Sequence, residues 1–350
     1  MLLLVYCWIL CIIPSRTILN SVSFVLSWVI TIGFMDVLIL YPVQTDVVTG
    51  NSCSAEQWAE ILMKLGHRVE LGGTAAGRRA ELLVALNAEK MHGEIAVFSR
   101  ENPSSRIVVI LTGTDIYPEV SDVSLCSMEL ADRVVALQKN AVKVIPERFH
   151  EKLHVIVQSV EPTCITTRWE MNPEKFNVAL VANLRAVKDP FLTTRALGYL
   201  PDKSMVYIRH AGFPLDCGSD VRARQESGLH SRYEWLGGLT TLQSRKLISS
   251  SDVLLLTSKH EGAGRVIGEA IADGTPIIAT RVEGITGLVG NDYKGLFPAG
   301  DAEDLAALLT RAENDSLFLD ELTQSCRELS PIFDPKTEVK AWEDLIAMLV

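Results

Sequence analysis

The 350-residue sequence has no surplus of positive charge, since 33 Lys and Arg stand against 43 Asp and Glu and the formal net charge is −10. Binding along a phosphate backbone needs a clustered positive surface, so a nucleic-acid partner is not expected. None of the seven scattered cysteines forms a Cys-x-x-Cys pair, which argues against a disulfide framework and a cysteine zinc site and favours a reducing compartment, the cytoplasm. Hydrophobic residues make up 48% of the chain, which excludes a disordered chain, and the length predicts two domains.

Charge is also scarce in residues 1–34, where Arg16 is the single charged side chain. As a helix, the uncharged residues 17–35 would be roughly 28 Å long, close to the ~30 Å core of a bilayer. The segment fits a membrane anchor, or a start chosen too far upstream with Met35 as the true initiator. A secretory signal is a third interpretation, although the segment lacks a positively charged start and a cleavage site of small residues. A membrane partner and a membrane-anchored location are expected only if this segment is genuine.

From Met35 onward, short apolar runs alternate with helical patterns. In residues 35–165 this alternation predicts a Rossmann-like acceptor domain, because strand–helix–strand units wind into parallel α/β sheets. The expected strands are residues 37–41, 107–111, 133–137 and 153–157. The expected helices are residues 54–65, 80–89, 126–131 and 140–148. Ser54 is expected to cap the first helix and Gly66 to end it.

A looser stretch over residues 159–175 predicts a linker, after which the alternation restarts. Residues 170–330 are expected to form a second Rossmann-like domain that binds the donor, with strands at 176–181, 205–210, 233–236, 252–257 and 276–279 and helices at 242–249, 264–272 and 302–311. Two such domains leave a cleft at the carboxyl ends of their strands, where ligands of α/β sheets bind. The amphipathic segment within residues 331–350 is predicted to pack across both domains.

The sharpest motif follows the expected strand over 252–257 and places two glutamates around a glycine-rich turn. Glu261 lies in the loop that leaves the strand, and Glu269 lies about one turn into the next helix. The glycines between them let backbone approach a ligand closely, and the free N–H groups at the start of the helix favour an anion. From the residues alone, the pair could equally be two solvated glutamates beside a flexible loop.

The residues that follow the pair are more specific. Glu269 is followed by Ala270. The approach to the next expected strand then contains Ala272, Gly274 and Pro276. This pattern resembles the donor-binding signature of the family 4 type, retaining glycosyltransferases of the GT-B fold, and the resemblance covers most of residues 36–330. It implies an α/β fold with two Rossmann-like doubly wound domains facing across a cleft, and a metal-independent hexosyltransferase that uses a UDP-sugar as co-substrate without a resident cofactor.

The resemblance also implies roles for individual residues. In that family the first glutamate contacts the transferred sugar and the second holds the ribose of the nucleotide, which implies these roles for Glu261 and Glu269. The residues implied to bind the donor beside Glu269 are Gly262, Ala263, Gly264 and Arg265.

The turn after the first strand of the second domain supplies positive charge. Lys188 matches the family's lysine, whereas Asn183 stands where the family usually has an arginine, and Arg185 lies nearby. Lys188 and Arg185 are therefore implied as catalytic cations beside Glu261. With one helix N-terminus they supply about +2.5 charges, enough to balance the roughly −2 of a sugar-nucleotide diphosphate. No Asp-x-Asp pair offers a divalent metal site, so no metal is expected.

Two loops of the first domain are candidates for binding the acceptor or a phosphate. The first contains Thr49, Gly50 and Asn51, and the second contains Thr112, Gly113, Thr114 and Asp115. Backbone N–H groups at such strand-to-helix turns can cradle an anion. An ordinary capped turn remains the alternative for each loop.

Several phrases, among them residues 65–69, 127–133, 184–190 and 232–237, resemble a narrower group, the selenosugar synthases of selenoneine biosynthesis. This resemblance implies transfer of a sugar, typically N-acetylglucosamine from its UDP derivative, to selenophosphate. Asn87 stands where that family segment usually has histidine, and asparagine cannot act as a base. An anionic selenium would not need a base, whereas a hydroxyl acceptor often benefits from one.

Three other functions remain open at this point. They are a conventional family 4 type glycosyltransferase with a hydroxyl acceptor, a sugar-nucleotide epimerase, and a non-catalytic protein that binds sugar nucleotides.

Overall fold

The computed structural model describes residues 34–43, 49–161 and 167–350. Residues 1–33, on which the anchor and start interpretations depend, lie outside the described residues, as does part of the expected linker. No helix in the described part of the chain has the length and apolar character needed to cross a bilayer.

The described strands form two sheets of six, and every paired strand runs parallel to its neighbour. The first sheet contains β1 (Asp36–Leu40), β2 (Arg68–Gly72), β3 (Leu82–Leu86), β4 (Arg106–Leu111), β5 (Arg133–Ala136) and β6 (Leu153–Val155). The second contains β7 (Phe176–Val181), β8 (Val206–Ala211), β9 (Tyr233–Gly237), β10 (Val253–Leu256), β11 (Ile277–Thr280) and β12 (Leu296–Phe297). Their orders are β2-β1-β3-β4-β5-β6 and β12-β11-β10-β7-β8-β9.

Helices flank both sheets. Those that follow the first-sheet strands are α1 (Gly50–Lys64), α2 (His92–Glu101) and α3 (Asp122–Leu130). Those of the second half are α4 (Leu192–Leu197), α5 (Ser219–Leu229), α6 (Thr241–Ser249), α7 (Arg265–Asp273), α8 (Glu283–Val289), α9 (Ala302–Asn314), α10 (Ser316–Leu329) and α11 (Pro335–Ala347). Short 3₁₀ turns cover Lys139–Lys143, Glu147–Lys152, Ala186–Lys188 and Ser330–Phe333.

Each sheet reverses its winding direction once. In the first sheet the reversal lies between β1 and β3, and in the second it lies between β7 and β10. Ligands of doubly wound sheets bind outside the carboxyl ends of the strands at such a reversal. The topology therefore predicts that the loops after β1, β3, β7 and β10 line the functional cleft.

The helix expected over residues 80–89 is wrong, because residues Leu82–Leu86 form β3 between β1 and β4. All five side chains of β3 are 0% exposed. A strand that is covered on both faces reads as one continuous apolar run, and such a run does not distinguish a buried strand from a buried helix.

The first helix begins earlier than expected, and Thr49 rather than Ser54 caps it. The Thr49 hydroxyl oxygen accepts from the Ser52 backbone N–H (3.1 Å), while the Ser52 hydroxyl accepts from the Thr49 backbone N–H (3.0 Å). This reciprocal pair satisfies two donors at the start of the helix. Ser54 lies one turn into α1, where its hydroxyl donates to the carbonyl of Gly50.

Other boundaries also differ from the expectation. Helix α3 begins four residues before residue 126, two 3₁₀ turns replace the helix expected over 140–148, and β2 was not expected. Strand β2 is an edge strand with mostly exposed side chains, so its sequence lacks the apolar run that marks the central strands.

The last helix, α11, belongs by sequence to the end of the chain but packs on the first domain. The rings of Trp342 and Trp58 lie 5.7 Å apart between α11 and α1, and both side chains are 0% exposed. Beyond the helix, the carbonyl of Leu349 accepts from the guanidinium of Arg106 (3.2 Å).

Candidate active site

A cavity of about 320 Å³ lies between the two domains at the carboxyl ends of their strands. Its walls come from the loops after β1, β4, β7 and β10 and from the starts of α1, α6 and α7. This size lies at the lower end of the range of small-molecule sites. The expected site residues that line it are Thr49, Gly50, Asn51, Thr112, Thr114, Arg185, Lys188, Glu261, Gly262, Ala263, Gly264, Arg265 and Glu269.

Glu261 is held at the base of the cavity, where its side chain is 8% exposed. Oε1 of Glu261 accepts from the ammonium of Lys188 and from the hydroxyl of Ser258 (2.7 Å). Lys188 follows β7, and Glu261 follows the neighbouring strand β10. The two loops are also joined by a side chain–backbone hydrogen bond, because the Thr257 hydroxyl donates to the Lys188 carbonyl (2.8 Å). A cation and a carboxylate therefore meet at the winding reversal of the second sheet.

Glu269 is buried in the second turn of α7 and is 5% exposed. Its Oε1 accepts from Nε of Arg265, one helical turn earlier, at 3.3 Å. Burial raises the pKa of the Glu269 carboxyl, and the positive charges of Arg265 and Arg245 oppose that rise. Arg265 therefore favours the ionised form of Glu269, which offers only hydrogen-bond acceptors to a ligand.

The glycine turn brings the two domains into backbone contact. A Cβ on Gly262 would lie 2.2 Å from the carbonyl oxygen of Thr112, and a Cβ on Gly113 would lie 2.4 Å from the nitrogen of Gly262. Gly113 has φ +121°, in the region that favours glycine. The other side of this loop approaches α8 just as closely. A Cβ on Gly284 of α8 would lie 1.9 Å from the carbonyl oxygen of Glu261. These contacts hold the loop that carries Glu261 between the domains.

Arg185 lines the cavity on the same side as Lys188 and is partly exposed. Asn183, at the position where the family usually has arginine, also lines the cavity, and its Oδ1 accepts from the backbone N–H of Phe213 (2.9 Å). The amide thus joins the loops after β7 and β8. The positive charge of this wall comes from Lys188 and Arg185.

The acceptor loop after β4 needs a correction. Asp115 and Gly113 do not line the cavity, whereas Thr112 and Thr114 do. The Asp115 carboxylate is 1% exposed and accepts from the backbone N–H groups of Ala88 (2.9 Å) and Gly113 (2.7 Å). Desolvation raises its pKa, although these hydrogen bonds oppose the rise. Asp115 therefore holds the loop from beneath, because its acceptor oxygens are occupied by backbone donors.

Asn87 lies directly after β3 and supports the same loop. It is 1% exposed and has φ +78°, which asparagine tolerates better than most residues. Its Nδ2 donates to the hydroxyls of Thr112 (2.8 Å) and Thr114 (3.2 Å). The side chain that stands in place of the family's histidine therefore orients two cavity-lining hydroxyls.

His210, near the end of β8, is a buried structural residue. Its Nε2 donates to the carbonyl of Ala182 (2.8 Å), so its Nδ1 is the acceptor for the hydroxyl of Tyr233 (2.7 Å). Burial lowers the pKa of His210 to about 4, and the imidazole is neutral at pH 7.

Sequence reasoning missed several cavity residues, which lack a recognisable motif. They are Lys90, Cys53, Ser54, Gln158, Phe213, Leu239, Thr241 and Ser244. The position of Lys90 after the apolar run of β3 could have indicated a cleft residue, because loops after strands line the cleft. That run was expected to be a helix, so Lys90 was missed. Within the described ranges, no three His, Cys, Asp or Glu side chains are grouped to hold a metal ion.

Comparison with known proteins points to one family. A family model described as "Glycosyl transferases group 1" matches residues 165–329. The chain is 25% identical over 244 residues to an MMP alpha-(1->4)-mannosyltransferase of Mycolicibacterium hassiacum, a match that covers 62% of this chain and 56% of that protein. It is 32% identical over 166 residues to the sulfoquinovosyl transferase SQD2 of Arabidopsis thaliana, which covers 46% of this chain and 31% of that protein. The match thus spans about half of these curated relatives or less.

Solved structures extend the likeness to the first domain. HepE of Anabaena, in complex with UDP and glucose, is 20% identical with a TM-score of 0.71, and the match covers 90% of this chain and 100% of that chain. Sucrose-phosphate synthase of Thermosynechococcus elongatus is 15% identical with a TM-score of 0.72, and the match covers 90% of this chain and 99% of that chain. The expected two-domain GT-B fold is confirmed, and residues 165–329 of the chain match the model of the glycosyl transferases group 1 family.

Proposed function

We propose that this protein transfers a sugar from a nucleotide sugar, with UDP-N-acetylglucosamine as donor and selenophosphate as acceptor. The observation that carries the transferase proposal is the arrangement of Glu261 with Lys188 and of Glu269 with Arg265 in one interdomain cavity. Two buried carboxylates, each beside a cation, offer separate contacts to the sugar and to the nucleotide of one donor.

Glu269 and Arg265 form the nucleotide end of this site. An ionised carboxylate accepts hydrogen bonds from two neighbouring hydroxyls, which is the pattern that a ribose offers. Arg265 supports the ionised form of Glu269 and lies at the N-terminus of α7, where free N–H groups favour the phosphates. HepE, which binds UDP, has the same fold, and this likeness supports the choice of a uridine nucleotide.

Lys188 and Arg185 form the leaving-group end. Lys188 pairs with Glu261, so a diphosphate that approaches the cavity competes with this carboxylate for the ammonium. Transfer of Lys188 to the phosphates would release Glu261 toward the sugar. Once Lys188 and Arg185 contact the bound diphosphate, they stabilise the charge that develops on it as it departs, and the proposal needs no resident cofactor.

The opposite wall suits an anionic acceptor. Gly50 and Asn51 supply the first N–H groups of α1 outside its capping pair, and Lys90 adds a positive charge to the same wall. The reaction needs no base, because selenium attacks as an anion: its lone pair forms the C1–Se bond, the C1–O bond to the diphosphate breaks, and its electron pair leaves with UDP. The phosphoryl group stays on selenium. We also propose a cytoplasmic location. A reducing compartment keeps thiols free, and the free thiols are those of Cys53, Cys126, Cys217 and Cys326.

The test is mass spectrometry of the products from UDP-N-acetylglucosamine with and without selenophosphate. The proposal expects UDP and a product that carries the selenium isotope pattern only when both substrates are present. Glu261→Gln is the control for chemistry at this site, and UDP-glucose and GDP-mannose test the donor.

Other products would contradict the proposal in distinguishable ways. A changed sugar nucleotide without acceptor identifies an epimerase, and transfer to a hydroxyl acceptor but not to selenophosphate identifies a conventional transferase. Nucleotide binding without turnover of any acceptor identifies a binding protein.

A further inference from the structure

A buried polar network connects the end of the chain to the nucleotide end of the cavity. It begins at Glu338 of α11, passes through Gln57 of α1, and ends at Arg265 and Glu269 of α7. Gln57 lies 208 positions from Arg265 and 281 positions from Glu338 in the sequence, so no local motif joins these residues.

Glu338 is 1% exposed, and the donors to its carboxylate in the described part of the chain all belong to the first domain. Oε1 accepts from the indole Nε1 of Trp58 (2.7 Å), and Oε2 accepts from Nε2 of Gln57 (2.7 Å). Oε2 also accepts from the backbone N–H (2.9 Å) and the hydroxyl (2.6 Å) of Ser159. Four donors compensate the burial of this charge, so its position is well determined.

The direction of the Gln57 amide follows from its neighbours. Its NH₂ group faces the Glu338 carboxylate and the carbonyl of Ser159 (3.0 Å), which can only accept. Its carbonyl oxygen faces Nη1 of Arg265 at 2.6 Å, and a guanidinium can only donate. The opposite amide orientation would place donor against donor and acceptor against acceptor. Gln57 therefore has one satisfied orientation.

Among the described residues, Arg265 donates to one side chain in each domain. Nε donates to Glu269 at 3.3 Å, and Nη1 donates to Gln57 at 2.6 Å. The shorter contact is the one that crosses the domain boundary. We propose that Gln57 is a positioning residue for the donor: oriented by Glu338, it holds Arg265, and through Arg265 the carboxylate of Glu269, in the geometry that receives the nucleotide.

The inference rests on the proposed function and adds a dependence of donor binding on the first domain and the last helix. An arginine side chain has large rotamer freedom, and each hydrogen bond that fixes it before binding reduces the entropy lost when the ligand arrives. Without Gln57, Arg265 keeps only its longer contact to Glu269. With Gln57 in this role, the site for the nucleotide is complete only while α1, α7 and α11 stay in contact.

The test measures the affinity of the full-length protein for UDP by calorimetry and the kinetics with UDP-N-acetylglucosamine. Gln57→Met keeps the length of the side chain and removes both the NH₂ donor and the carbonyl acceptor of its amide. We expect about a tenfold higher Kd for UDP and a similarly higher KM for the donor, with little change in kcat, as for one lost charge-assisted hydrogen bond. If Gln57→Met does not fold, Gln57→Asn provides the same test, because its shorter amide cannot reach Glu338 and Arg265 together.

Trp58→Phe is the matched control. It removes another hydrogen bond to the same Glu338 carboxylate and lowers thermal stability, but it leaves Gln57 and Arg265 in contact. We expect this variant to keep the wild-type Kd for UDP. Equal affinities of Gln57→Met and wild type, or equal weakening by Trp58→Phe, would overturn the positioning role. Wild-type protein that binds none of UDP, UDP-N-acetylglucosamine or GDP would instead contradict the proposed function, and with it this inference.

Discussion

At the scale of single residues, the two cavity carboxylates have different surroundings. Glu261 is paired with Lys188, which comes from another loop, whereas Glu269 is paired with Arg265 of its own helix. A diphosphate can take Lys188 from Glu261 without disturbing α7. The two glutamates are therefore expected to act at different stages, Glu269 during binding and Glu261 during transfer.

Substitution of each glutamate by glutamine separates these stages. Glu269→Gln places donor hydrogens where a carboxylate would accept from the ribose, and we expect about a tenfold rise in the Kd for UDP. Glu261→Gln removes a charge beside the reacting sugar and is expected to lower kcat about 10²-fold, with a smaller change in Kd. Calorimetry and steady-state kinetics measure both, and the exposed Glu60→Gln on α1 is the control. Parental constants in both cavity variants would contradict the assigned roles.

The sequence pattern places Glu261 and Lys188 at the cleft because each lies in the loop after a central strand, whereas their expected roles rest on the family resemblance. Glu261 and Lys188 follow apolar runs that predict strands, and loops at the carboxyl ends of neighbouring parallel strands meet in space. Gln57 carries no such signal, since its partners are 208 and 281 positions away. Asp115 lies in the expected loop but does not line the cavity, and sequence position does not show on which side of the backbone a carboxylate lies.

The burial of His210 makes the free energy of unfolding depend on pH. The folded-state pKa of His210 is about 4, below its usual 6.5, because burial disfavours the charged imidazole. The unfolded chain therefore binds more protons as pH falls below 6.5, and stability falls with it. Between pH 7.5 and pH 5 this residue removes about 2 kcal/mol from the free energy of unfolding. Urea denaturation at both pH values measures the loss, and His210→Gln, which keeps a donor and an acceptor, is expected to reduce it. An unchanged pH dependence in that variant would exclude His210 as the cause.

At the scale of elements, the central strands were predictable and the marginal ones were not. Strands β1, β7 and β10 combine apolar runs with turn residues on both sides, so their type follows from pattern alone. The β3 segment is equally apolar, but nothing in its own residues separates a strand from a short buried helix. Its assignment depends on the neighbours that cover it, β1 and β4, which are brought together only by the folded sheet.

The glycine turn between β10 and α7 makes a prediction at this scale. In Gly262→Ala the new methyl group would lie 2.2 Å from the carbonyl oxygen of Thr112, so the loop that carries Glu261 must move away from the first domain. We expect kcat/KM to fall at least tenfold, because displacements of this size disturb substrate positioning. Gly93→Ala in α2, where nothing lies within 4 Å of the new Cβ, is the control. Full activity in Gly262→Ala would show that the close approach of the two loops is dispensable.

At the scale of the whole molecule, several of the described contacts join the two domains. The glycine turn meets the loop at Gly113, and the Gln57 network joins α1 to α7 and α11. Another contact lies between α8 and the 3₁₀ turn after β5, where Nδ2 of Asn140 donates to the Thr286 hydroxyl (3.0 Å). Because the cavity lies among these contacts, the relative position of the domains determines the distance between donor and acceptor.

Gly287 of α8 tests how closely that position is controlled. A Cβ there would lie 1.8 Å from Oε1 of Gln138, which is 0% exposed and already accepts from the backbone of Asn140 (2.5 Å) while its Nε2 donates to Tyr117 (2.9 Å). Gln138 cannot turn aside without losing both partners, so Gly287→Ala must either strain this contact or separate the domains. We expect a loss of about 1–3 kcal/mol in unfolding free energy.

Small-angle scattering and kinetics distinguish these two responses to Gly287→Ala. Separation of the domains increases the radius of gyration and lowers kcat/KM, because the acceptor wall at Thr112 then moves away from Glu261. Strain without separation lowers stability and leaves the radius and the kinetics unchanged. Gly228→Ala in α5, with open space around its Cβ, is the control for the substitution itself. Stability equal to that control would mean that the contact between α8 and Gln138 does not hold the domains together, and that other contacts determine the width of the cleft.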